Sequence, residues 1–230
     1  MSGLRARVRA ELTAEIKRLA RAQMEAQGPN DLNLRAIARE LGMVSSAVYR
    51  YFASRDELLT ALIIDAYDEL GRTAEDADAG CDPADTVGRF VTVATAIYRW
   101  ARTSPSQYLL LFGTPVPGYA APIDTVAAAI RVTTVLQHIL DEAGRQGATP
   151  AVAPIVPPTV QPDLATVRAL TDSTVSDQLL LTGLQSWTAM FGAITFILNG
   201  QFRNVVGDVD ALFGAFADLL ARQVIGARHD

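Results

Sequence analysis

The sequence has very few of the residues that build disulfides and metal sites. One cysteine, Cys81, stands among its 230 residues, which excludes an intramolecular disulfide and every multi-cysteine metal site. The two histidines, His138 and His229, are too few for a histidine-based metal site, and no His-Glu-x-x-His or Cys-x-x-Cys spacing occurs. We therefore predict no metal site, and the cysteine content favours a reducing cytoplasm.

Motifs that bind nucleotides or hydrolyse substrates are missing too. Lys17 is the only lysine, so the chain has no Walker lysine, and it has neither a Gly-x-Gly-x-x-Gly after a strand nor a Gly-x-Ser-x-Gly elbow. His138 lies in a segment with helical periodicity and is more readily explained as a partly exposed or packed histidine than as a general base. The sequence therefore predicts no catalytic residue, no cofactor and no enzymatic activity.

No stretch has the full pattern of a signal peptide or a membrane span. The N-terminus carries Glu11 and Glu15 where a signal peptide needs an apolar core. Residues 178–202 hold no charged side chain and exceed the roughly 20 residues that a membrane helix needs. They include several polar side chains, however, and no cluster of Lys or Arg flanks them. We therefore expect a buried helix of a soluble protein and no membrane partner.

Positive charge is concentrated at one end of an acidic chain. The net charge is −5, yet residues 1–56 hold ten Lys and Arg against six Asp and Glu, whereas residues 57–230 hold ten against nineteen. A polyanion would be attracted to the first part and repelled by the second. This asymmetry is typical of a nucleic-acid reader attached to a body that does not bind nucleic acid.

Apolar residues recur at helical spacing through most of the chain, and no segment is convincing as a strand. The first helix should end at Gly28, and a second should run from Leu34 to Leu41. Ser54 followed by Glu57 predicts a capping box at the start of a long helix. Asp82 as N-cap and Pro83 as first helical residue are expected to start a helix that runs to about residue 102. Further helices are expected from Pro105, at 123–146, 163–171 and 176–199, and from Asp208 to about 223. The sequence thus predicts an all-α fold of nine or ten helices.

Three stretches interrupt the helical pattern. Residues 75–85 are polar and contain glycine, and residues 113–122 hold three prolines and two glycines. Residues 147–162 hold five prolines in sixteen residues. Because proline and glycine forbid regular structure at this density, we expect irregular chain in all three and an extended loop in the last.

Residues 34–52 have the layout of a helix-turn-helix. Two short segments with apolar faces, Leu34 to Leu41 and Val44 or Ser45 to Phe52, are joined across Gly42. If Val48 and Phe52 face the core, the opposite face points to solvent. That face carries Ser45, Ser46, Tyr49 and Arg50. Small residues allow close approach to a DNA groove, while Tyr and Arg reach phosphates and base edges. An ordinary helical hairpin would carry Glu and Lys there as often as Tyr.

The first 60 residues resemble the DNA-binding region of the TetR family of transcriptional regulators. The family pattern is an apolar helix and a glycine, then Leu-Arg-x-Ile-Ala-x-x-x-Gly, a seven-residue step to Tyr, and Tyr-Phe, Ser and a basic residue. It is matched by Gly28, Leu34, Arg35, Ile37, Ala38, Gly42, Tyr49, Tyr51, Phe52, Ser54 and Arg55. Val44 stands where the family often has an N-cap serine, so the cap falls there or on Ser45. Arg55 replaces the commoner lysine and keeps the charge for a phosphate.

The resemblance and the exposed face together predict a set of DNA-contacting residues: Asn33, Arg35, Ser45, Ser46, Tyr49, Arg50, Tyr51 and Arg55. The arm that bears Arg5, Arg7 and Arg9 is expected to contact phosphates in addition.

The rest of the chain resembles a C-terminal class of that family named for a Trp-His-Gly signature. Residues 98–122, YRWARTSPSQYLLLFGTPVPGYAAP, are similar to its characteristic segment, and WTAMFG, residues 187–192, stands where the signature falls. Phe191 replaces the usual histidine, which implies a more apolar pocket. The resemblance implies an all-helical domain that binds an effector and dimerises, with its two C-terminal helices packed against their copies.

A homodimer is also expected from the sequence itself. A helix that is apolar all round from Leu179 to Leu198 keeps one face uncovered after packing in its own subunit, and a two-fold partner would cover that face. The seam is expected in the helices at about 176–199 and 208–223. Its candidates are Leu180, Leu184, Phe213, Phe216 and Leu220, although some of these could belong to the core instead.

A ligand pocket is predicted from grouped aromatic residues in the C-terminal part. The candidates are Tyr98, Trp100, Tyr108, Phe112, Trp187 and Phe191, with Gln185 as a possible polar anchor. For each of them a place in the plain core is the competing interpretation. Few charged residues stand among them, so the ligand should be a small organic molecule that is largely apolar.

These observations predict a two-part regulator, with a three-helix DNA-binding domain at 1–53 and an effector-binding and dimerisation domain at 54–230. The predicted protein is cytoplasmic, binds a palindromic double-stranded DNA operator as a homodimer and is released by its effector, most simply as a repressor. An activator of the same fold is one alternative. A small-molecule carrier or enzyme with a structural N-terminal domain is another.

Overall fold

The computed structural model describes residues 2–226, and within that range it is all-α, as the sequence predicts. Ten α-helices and two short 3-10 helices are present among the described residues, with no strand. The α-helices are α1 Ser2–Gln27, α2 Leu34–Glu40, α3 Ser45–Val48, α4 Arg55–Ala79, α5 Thr86–Thr103, α6 Pro105–Phe112, α7 Val126–Arg145, α8 Gln161–Thr171, α9 Asp177–Leu198 and α10 Val209–Ile225. The 3-10 helices cover Pro29–Asp31 and Ile123–Thr125. His229 lies outside the described residues.

The chain forms two compact units. The first consists of the chain up to Ala66 together with Ser106–Val126, and the second of Tyr67–Pro105 together with the chain from Ala127 onward. Helix α4 begins in the first unit and ends in the second. The predicted domain boundary between residues 53 and 54 falls just before α4 and stays a prediction.

The core of the first unit holds the two short helices of the helix-turn-helix in place. Helix α2 packs against α1 and α3. The buried apolar side chains include Ile16, Leu19, Ile37, Ala38, Val48, Phe52, Leu58 and Leu62. Lys17 Nζ and Arg21 Nη2 on α1 donate to the two carboxylate oxygens of Asp65 on α4, at 2.8 and 2.6 Å. Apolar packing and a partly buried ion-pair cluster therefore fix α1 against α4.

The second unit is built around α10, which packs against α5 and α9. Phe213 of α10 stacks on Tyr98 of α5 with ring centroids 4.2 Å apart. The Tyr98 hydroxyl donates to Asp210 Oδ1 at 2.5 Å, and Arg102 Nη1 donates to the same oxygen at 2.7 Å. Other fully buried apolar side chains are Val93, Ile97, Ile139, Ile194 and Val224.

Local capping signals set several helix starts as predicted. Ser54 Oγ accepts the Glu57 N–H at 3.0 Å, and the Glu57 carboxylate reaches back to the Ala53 N–H at 2.6 Å, so a capping box precedes α4. The Asp208 side chain accepts the Ala211 N–H at 2.9 Å at the start of α10. These bonds satisfy amide groups that have no partner within the helix.

The predicted start of α5 is wrong. We expected Asp82 to cap the helix and Pro83 to be its first residue, but the helix begins at Thr86. Its cap is Asp85, which accepts the Gly88 N–H at 2.9 Å, whereas Asp82 accepts the Ala84 N–H at 2.9 Å within a turn. Two Asp residues with the same capping chemistry lie three residues apart, and the spacing of the apolar face decides between them.

Two other predicted boundaries are also wrong. Helix α4 continues to Ala79, through part of the stretch at 75–85 that was expected to be irregular. Helix α3 was expected to reach Phe52 but ends at Val48. The chain then forms a turn, in which the Tyr51 N–H donates a hydrogen bond to the Val48 carbonyl at 2.9 Å. The helix begins at Ser45 with Val44 at the N-cap position, and no side chain caps it.

Two helices in the described range are long and apolar enough to cross a membrane by length and composition alone, Ile123–Arg145 and Asp177–Leu198. Core helices of soluble proteins meet the same criterion. Both helices contribute buried side chains to the second unit, such as Ile139 from α7 and Leu179 from α9. Their composition is therefore weak support for a membrane span.

Candidate nucleic-acid interface and effector cavity

The turn between α2 and α3 is set by an N-cap and a glycine. Asn33 Oδ1 accepts the N–H groups of Arg35 and Ala36 at 3.0 and 3.3 Å, which starts α2. Gly42 follows the helix with φ of 66°, in the left-handed region where a side chain would be strained. The Met43 N–H bonds back to the Ala38 carbonyl at 2.9 Å and closes the turn.

Helix α3 and the turn after it present the polar face that the sequence predicts. Val48 and Phe52 are buried, so the opposite side of this segment faces outward. Ser46 and Arg50 are exposed, the Tyr49 side chain is 42% exposed, and Ser45 is half-buried. Arg35 of α2 is exposed as well. The face therefore offers hydroxyl, phenol and guanidinium groups to a ligand outside the chain.

The N-terminal part of α1 lies next to this face. Arg9 Nη2 donates to the Arg50 carbonyl at 3.3 Å, and the Arg9 guanidinium lies 5.3 Å from the centre of the Tyr51 ring. Arg5 and Arg7 are exposed, and Arg7 Nε donates to Glu11 at 2.9 Å. The positive charge of Arg50, in the turn after α3, is thus continued by the arginines at the start of α1.

Two of the predicted DNA-contacting residues have structural tasks within the chain. Asn33 caps α2, as described above. Arg55 is half-buried, and its Nη2 donates to the carbonyl oxygens of Pro29 and Asn30 at 3.0 and 3.2 Å. Arg55 therefore ties the start of α4 to the 3-10 turn. The assignment of either residue to DNA binding stays a prediction.

An apolar cavity of about 240 Å³ lies in the second unit between α5, α7, α8 and α9. Its lining residues are Phe90 from α5; Ile130, Thr133, Leu136, Gln137 and Leu140 from α7; Val167, Leu170 and Thr171 from α8; and Leu180, Gly183, Leu184 and Trp187 from α9. No ionisable side chain stands among these residues. Leu170 and Leu184 are exposed, so the cavity has an edge that solvent can reach.

Of the seven residues predicted to bind a ligand, Trp187 lines this cavity. Phe191 packs on Trp187 with ring centroids 4.3 Å apart, while Gln185 is exposed on α9. Trp100 is buried and donates from Nε1 to Glu69 at 3.1 Å, and Tyr98 bonds to Asp210 as described above. Tyr108 and Phe112 pack on each other in the first unit. Among the seven, this cavity is lined by Trp187, and the assignment of the other six to ligand binding stays a prediction.

Sequence reasoning missed most of the lining. Ile130, Thr133, Gln137 and Leu140 recur along α7 at intervals of three and four, a pattern that is equally typical of a helix packed in a core. The one distinctive signal in the sequence was Gln137, which places an amide among these lining residues. Whether such a stripe meets a partner or an empty space depends on the neighbouring helices, which periodicity does not specify.

The outer face of α7 is bound to α4 by an arginine. Arg131 follows the cavity residue Ile130, and its Nη1 donates to Asp68 Oδ1 at 2.6 Å. Its Nη2 donates to Glu75 Oε2 at 2.6 Å, so the guanidinium bridges two turns of α4. The hydrogen bond with Glu75 has the largest effect on the pKa of Arg131, followed by that with Asp68, and both raise it above its ordinary value. One helix therefore both lines the cavity and holds α4.

Three of the five seam candidates are buried within their own chain. Leu180, Phe213 and Leu220 pack in the second unit. Leu184 and Phe216 keep part of their surface. Phe196 on α9 and Leu219 on α10 were not predicted, but they are 55% and 52% exposed. The apolar surface left on these two helices therefore includes the predicted residues Leu184 and Phe216 together with Phe196 and Leu219, which were not predicted.

Comparisons with known proteins agree with this geometry. Residues 16–62 match the family model for bacterial regulatory proteins of the tetR family, and residues 90–220 match that for the Tetracyclin repressor-like C-terminal domain. The chain is 36% identical over 220 residues to HTH-type transcriptional regulator Rv1816 of Mycobacterium tuberculosis (strain ATCC 25618 / H37Rv). That alignment covers 95% of this chain and 94% of the relative.

Solved structures give the same result for the fold. The chain matches the crystal structure of putative regulatory protein SCO4313 with a TM-score of 0.76 and 35% identity over 94% of this chain and 97% of that one. RolR in complex with resorcinol matches with a TM-score of 0.54 and 16% identity, covering 97% of each chain, which is a likeness of fold alone. The relatives with known roles are transcriptional regulators and not enzymes. The Trp-His-Gly class is not separately tested by these matches and stays a prediction.

Proposed function

The chain belongs to the TetR family of bacterial transcriptional regulators, and we propose that it is a repressor that a small, largely apolar effector releases from DNA. In this proposal a homodimer binds a palindromic operator through residues of α3 and the turn after it. The effector occupies the cavity of the second unit. The observation that carries the proposal is that α7 lines an uncharged cavity on one side and holds α4 through Arg131 on the other.

The DNA-binding part of the proposal rests on shape and charge. Ser46 projects from α3, which the buried Val48 anchors, and Tyr49 and Arg50 project from the turn after it, an arrangement that suits insertion into a major groove. The first 56 residues are net positive and the remainder is net negative, so a phosphate backbone would be attracted to this end of the chain. Arg5, Arg7 and Arg9 would add phosphate contacts that carry no sequence information.

The effector part rests on the route from the cavity to α4. A molecule bound between α7 and α9 would have a higher affinity for one position of α7 than for another. Helix α7 is bound to α4 through the hydrogen bonds of Arg131 to Asp68 and Glu75. Helix α4 is continuous and begins at Arg55, in the unit that carries α3. A ligand with different affinities for two positions of α7 would thus shift the population that binds the operator.

Dimerisation is proposed because a palindrome requires two copies of α3. Phe196 and Leu219 expose apolar surface on α9 and α10, and a two-fold partner would cover both at once. A cytoplasmic location follows from the same role, because the operator is chromosomal DNA.

Selection of fragments from genomic DNA by the purified protein tests the DNA-binding part. The recovered fragments should share a palindrome whose half-sites lie about one helical turn, or 34 to 36 Å, apart. Their affinity should fall steeply with salt concentration, because bound phosphates release counterions. Recovery of fragments without a common motif would contradict operator binding. A reporter gene placed behind the operator then separates repression from activation.

Tryptophan fluorescence tests the effector part. In a Trp100→Phe background Trp187 is the one remaining tryptophan, so its emission reports on the cavity alone. A compound that releases the operator should change this emission. Trp187→Ala should weaken that compound's binding while the ligand-free protein keeps its DNA affinity. Unchanged binding to Trp187→Ala would show that the effector site lies elsewhere.

A further inference from the structure

The polar groups of the cavity can accept hydrogen bonds more readily than they can donate them. Thr133 Oγ1 donates its proton to the Ile130 carbonyl at 2.7 Å, and Thr171 Oγ1 donates its proton to the Val167 carbonyl at 2.9 Å. A carbonyl oxygen has no proton, so the hydroxyl must be the donor in both bonds. Each threonine hydroxyl can therefore accept a hydrogen bond from a ligand but has no proton left to donate.

The third polar lining residue, Gln137, is oriented by a chain of bonds that ends at a carboxylate. Ser173 Oγ lies 3.1 Å from Asp141 Oδ1, and because the carboxylate accepts only, the serine must donate its proton to it. Ser173 Oγ is therefore an acceptor for Gln137, whose Nε2 donates to it at 2.8 Å. The amide thus turns Nε2 toward Ser173 and Oε1 away from it. Asp141 sets the direction of the whole chain.

We propose that the effector is an uncharged apolar molecule of about the size of one substituted aromatic ring, bearing a hydroxyl group that donates to this acceptor-rich wall. This inference rests on the effector site of the proposed function and adds the chemical class of its ligand. The size follows from the volume of about 240 Å³, since cavities of about 150 Å³ bind benzene. The absence of charge follows from the lining, which holds neither a cation nor an anion to pair with a charged ligand.

A hydroxyl group suits this wall better than other polar groups of similar size. It can donate to Thr133 Oγ1, Thr171 Oγ1 or Gln137 Oε1, and it can accept the second N–H of the Gln137 amide. An ether or ketone can only accept, so it would leave the lone pairs of the wall without a donor after water is displaced. A methyl group would make neither bond.

Matched ligands test the class directly. The probes are 4-ethylphenol, 4-ethylanisole, 4-ethyltoluene and 4-ethylbenzoate, whose binding to the full-length protein is measured through Trp187 fluorescence and by calorimetry. One donated hydrogen bond is worth about 1 kcal/mol, so the phenol should bind at least about fivefold more tightly than the anisole or the toluene. The benzoate should bind more weakly than all three.

A substitution at Ser173 tests the origin of the preference. Asp141 Oδ1 also accepts the Thr174 N–H at 2.8 Å, so an asparagine at residue 141 would keep its oxygen there and leave the chain of bonds unchanged. Ser173→Ala removes the oxygen that holds Gln137 Nε2, so the amide can turn this group toward the cavity. The ratio of phenol to anisole affinity should then fall to about twofold or less. Thr159→Ala, which removes an exposed hydroxyl from the loop before α8, should keep the ratio of the unmodified protein. A role of Ser173 in folding alone would lower both affinities and leave their ratio unchanged.

The outcomes separate this inference from the proposed function. If the anisole or the toluene binds as tightly as the phenol, or if the benzoate binds best, the assigned ligand class is wrong while the cavity remains the effector site. If the ratio in Ser173→Ala equals that in the unmodified protein, the orienting chain is wrong. If none of the probes changes Trp187 emission or operator affinity, the cavity is not the effector site and the inference fails with it.

Discussion

Gly71 on α4 lies so close to Arg131 on α7 that a Cβ atom on the glycine would be 2.8 Å from the arginine Cβ. This distance is shorter than two carbon atoms tolerate, and the obstructing atom is next to the backbone and cannot swing away. The two helices therefore lie close together where Arg131 also binds Asp68 and Glu75. A glycine and an arginine together define how α7 lies on α4.

Gly71→Ala should therefore destabilise the protein in spite of the better helix propensity of alanine. Overpacking costs about 1 to 3 kcal/mol, whereas the propensity gain is about 1 kcal/mol at most. Gly144→Ala on α7 is the matched control, because its Cβ would meet Leu179 at an ordinary 3.5 Å. Urea unfolding of both variants measures the difference. A Gly71→Ala protein that is as stable as Gly144→Ala would contradict the close contact.

Arg131→Met should uncouple the effector from DNA. The substitution removes both ion pairs to α4 but leaves the cavity lining intact, so ligand affinity should stay within about twofold. The ligand-induced loss of operator affinity should shrink several-fold. Arg145→Met removes an exposed i,i+3 pair at the end of α7 and should keep the coupling. Fluorescence anisotropy of labelled operator with and without ligand gives both quantities.

Tyr49→Ala and Arg50→Ala should each weaken operator binding by about 1 to 3 kcal/mol, as expected for groove contacts. Both side chains are exposed, so the melting temperature should hardly change. Arg145→Ala removes the same charge from the second unit and serves as the control. Full operator affinity in both Tyr49→Ala and Arg50→Ala would show that another surface contacts the DNA.

Arg55→Met should reduce stability in the absence of DNA. The substitution removes two charge-assisted hydrogen bonds to the carbonyls of Pro29 and Asn30, and we expect a loss of about 1 to 3 kcal/mol in unfolding free energy. Arg50→Met, at an exposed position, should change stability by no more than about 0.5 kcal/mol. If Arg55→Met unfolds like the unmodified protein but loses DNA affinity, the residue is a phosphate contact, as the sequence alone predicted.

Phe196→Glu and Leu219→Glu should each produce monomers if α9 and α10 form the dimer interface. A carboxylate at an apolar seam would be buried without a partner in both copies. Ile155→Glu, in the exposed proline-rich loop, controls for a general effect of replacing surface apolar residues. Sedimentation at micromolar concentration distinguishes the two species. A monomeric unmodified protein would exclude the proposed arrangement.

The fold class and the outward face of α3 can be predicted from local signals along the chain. Capping residues such as Ser54 and Asp208, and the glycine at residue 42, act through neighbours only a few residues away, so their effect can be read along the chain. The facing of Val48 and Phe52 follows from helical spacing alone. Where two local signals compete, as Asp82 and Asp85 do, the same reasoning selects the wrong one.

The position of the cavity and the set of apolar residues that remain on the surface depend on how the helices pack against one another. The cavity is a space left between four helices whose residues range from Phe90 to Trp187, and periodicity describes each helix separately. Leu180 and Phe196 stand on the same helix and look alike in sequence, yet one is buried by its own chain and the other is exposed. Burial depends on the shape and position of neighbouring helices, which are set by packing among residues far apart in sequence.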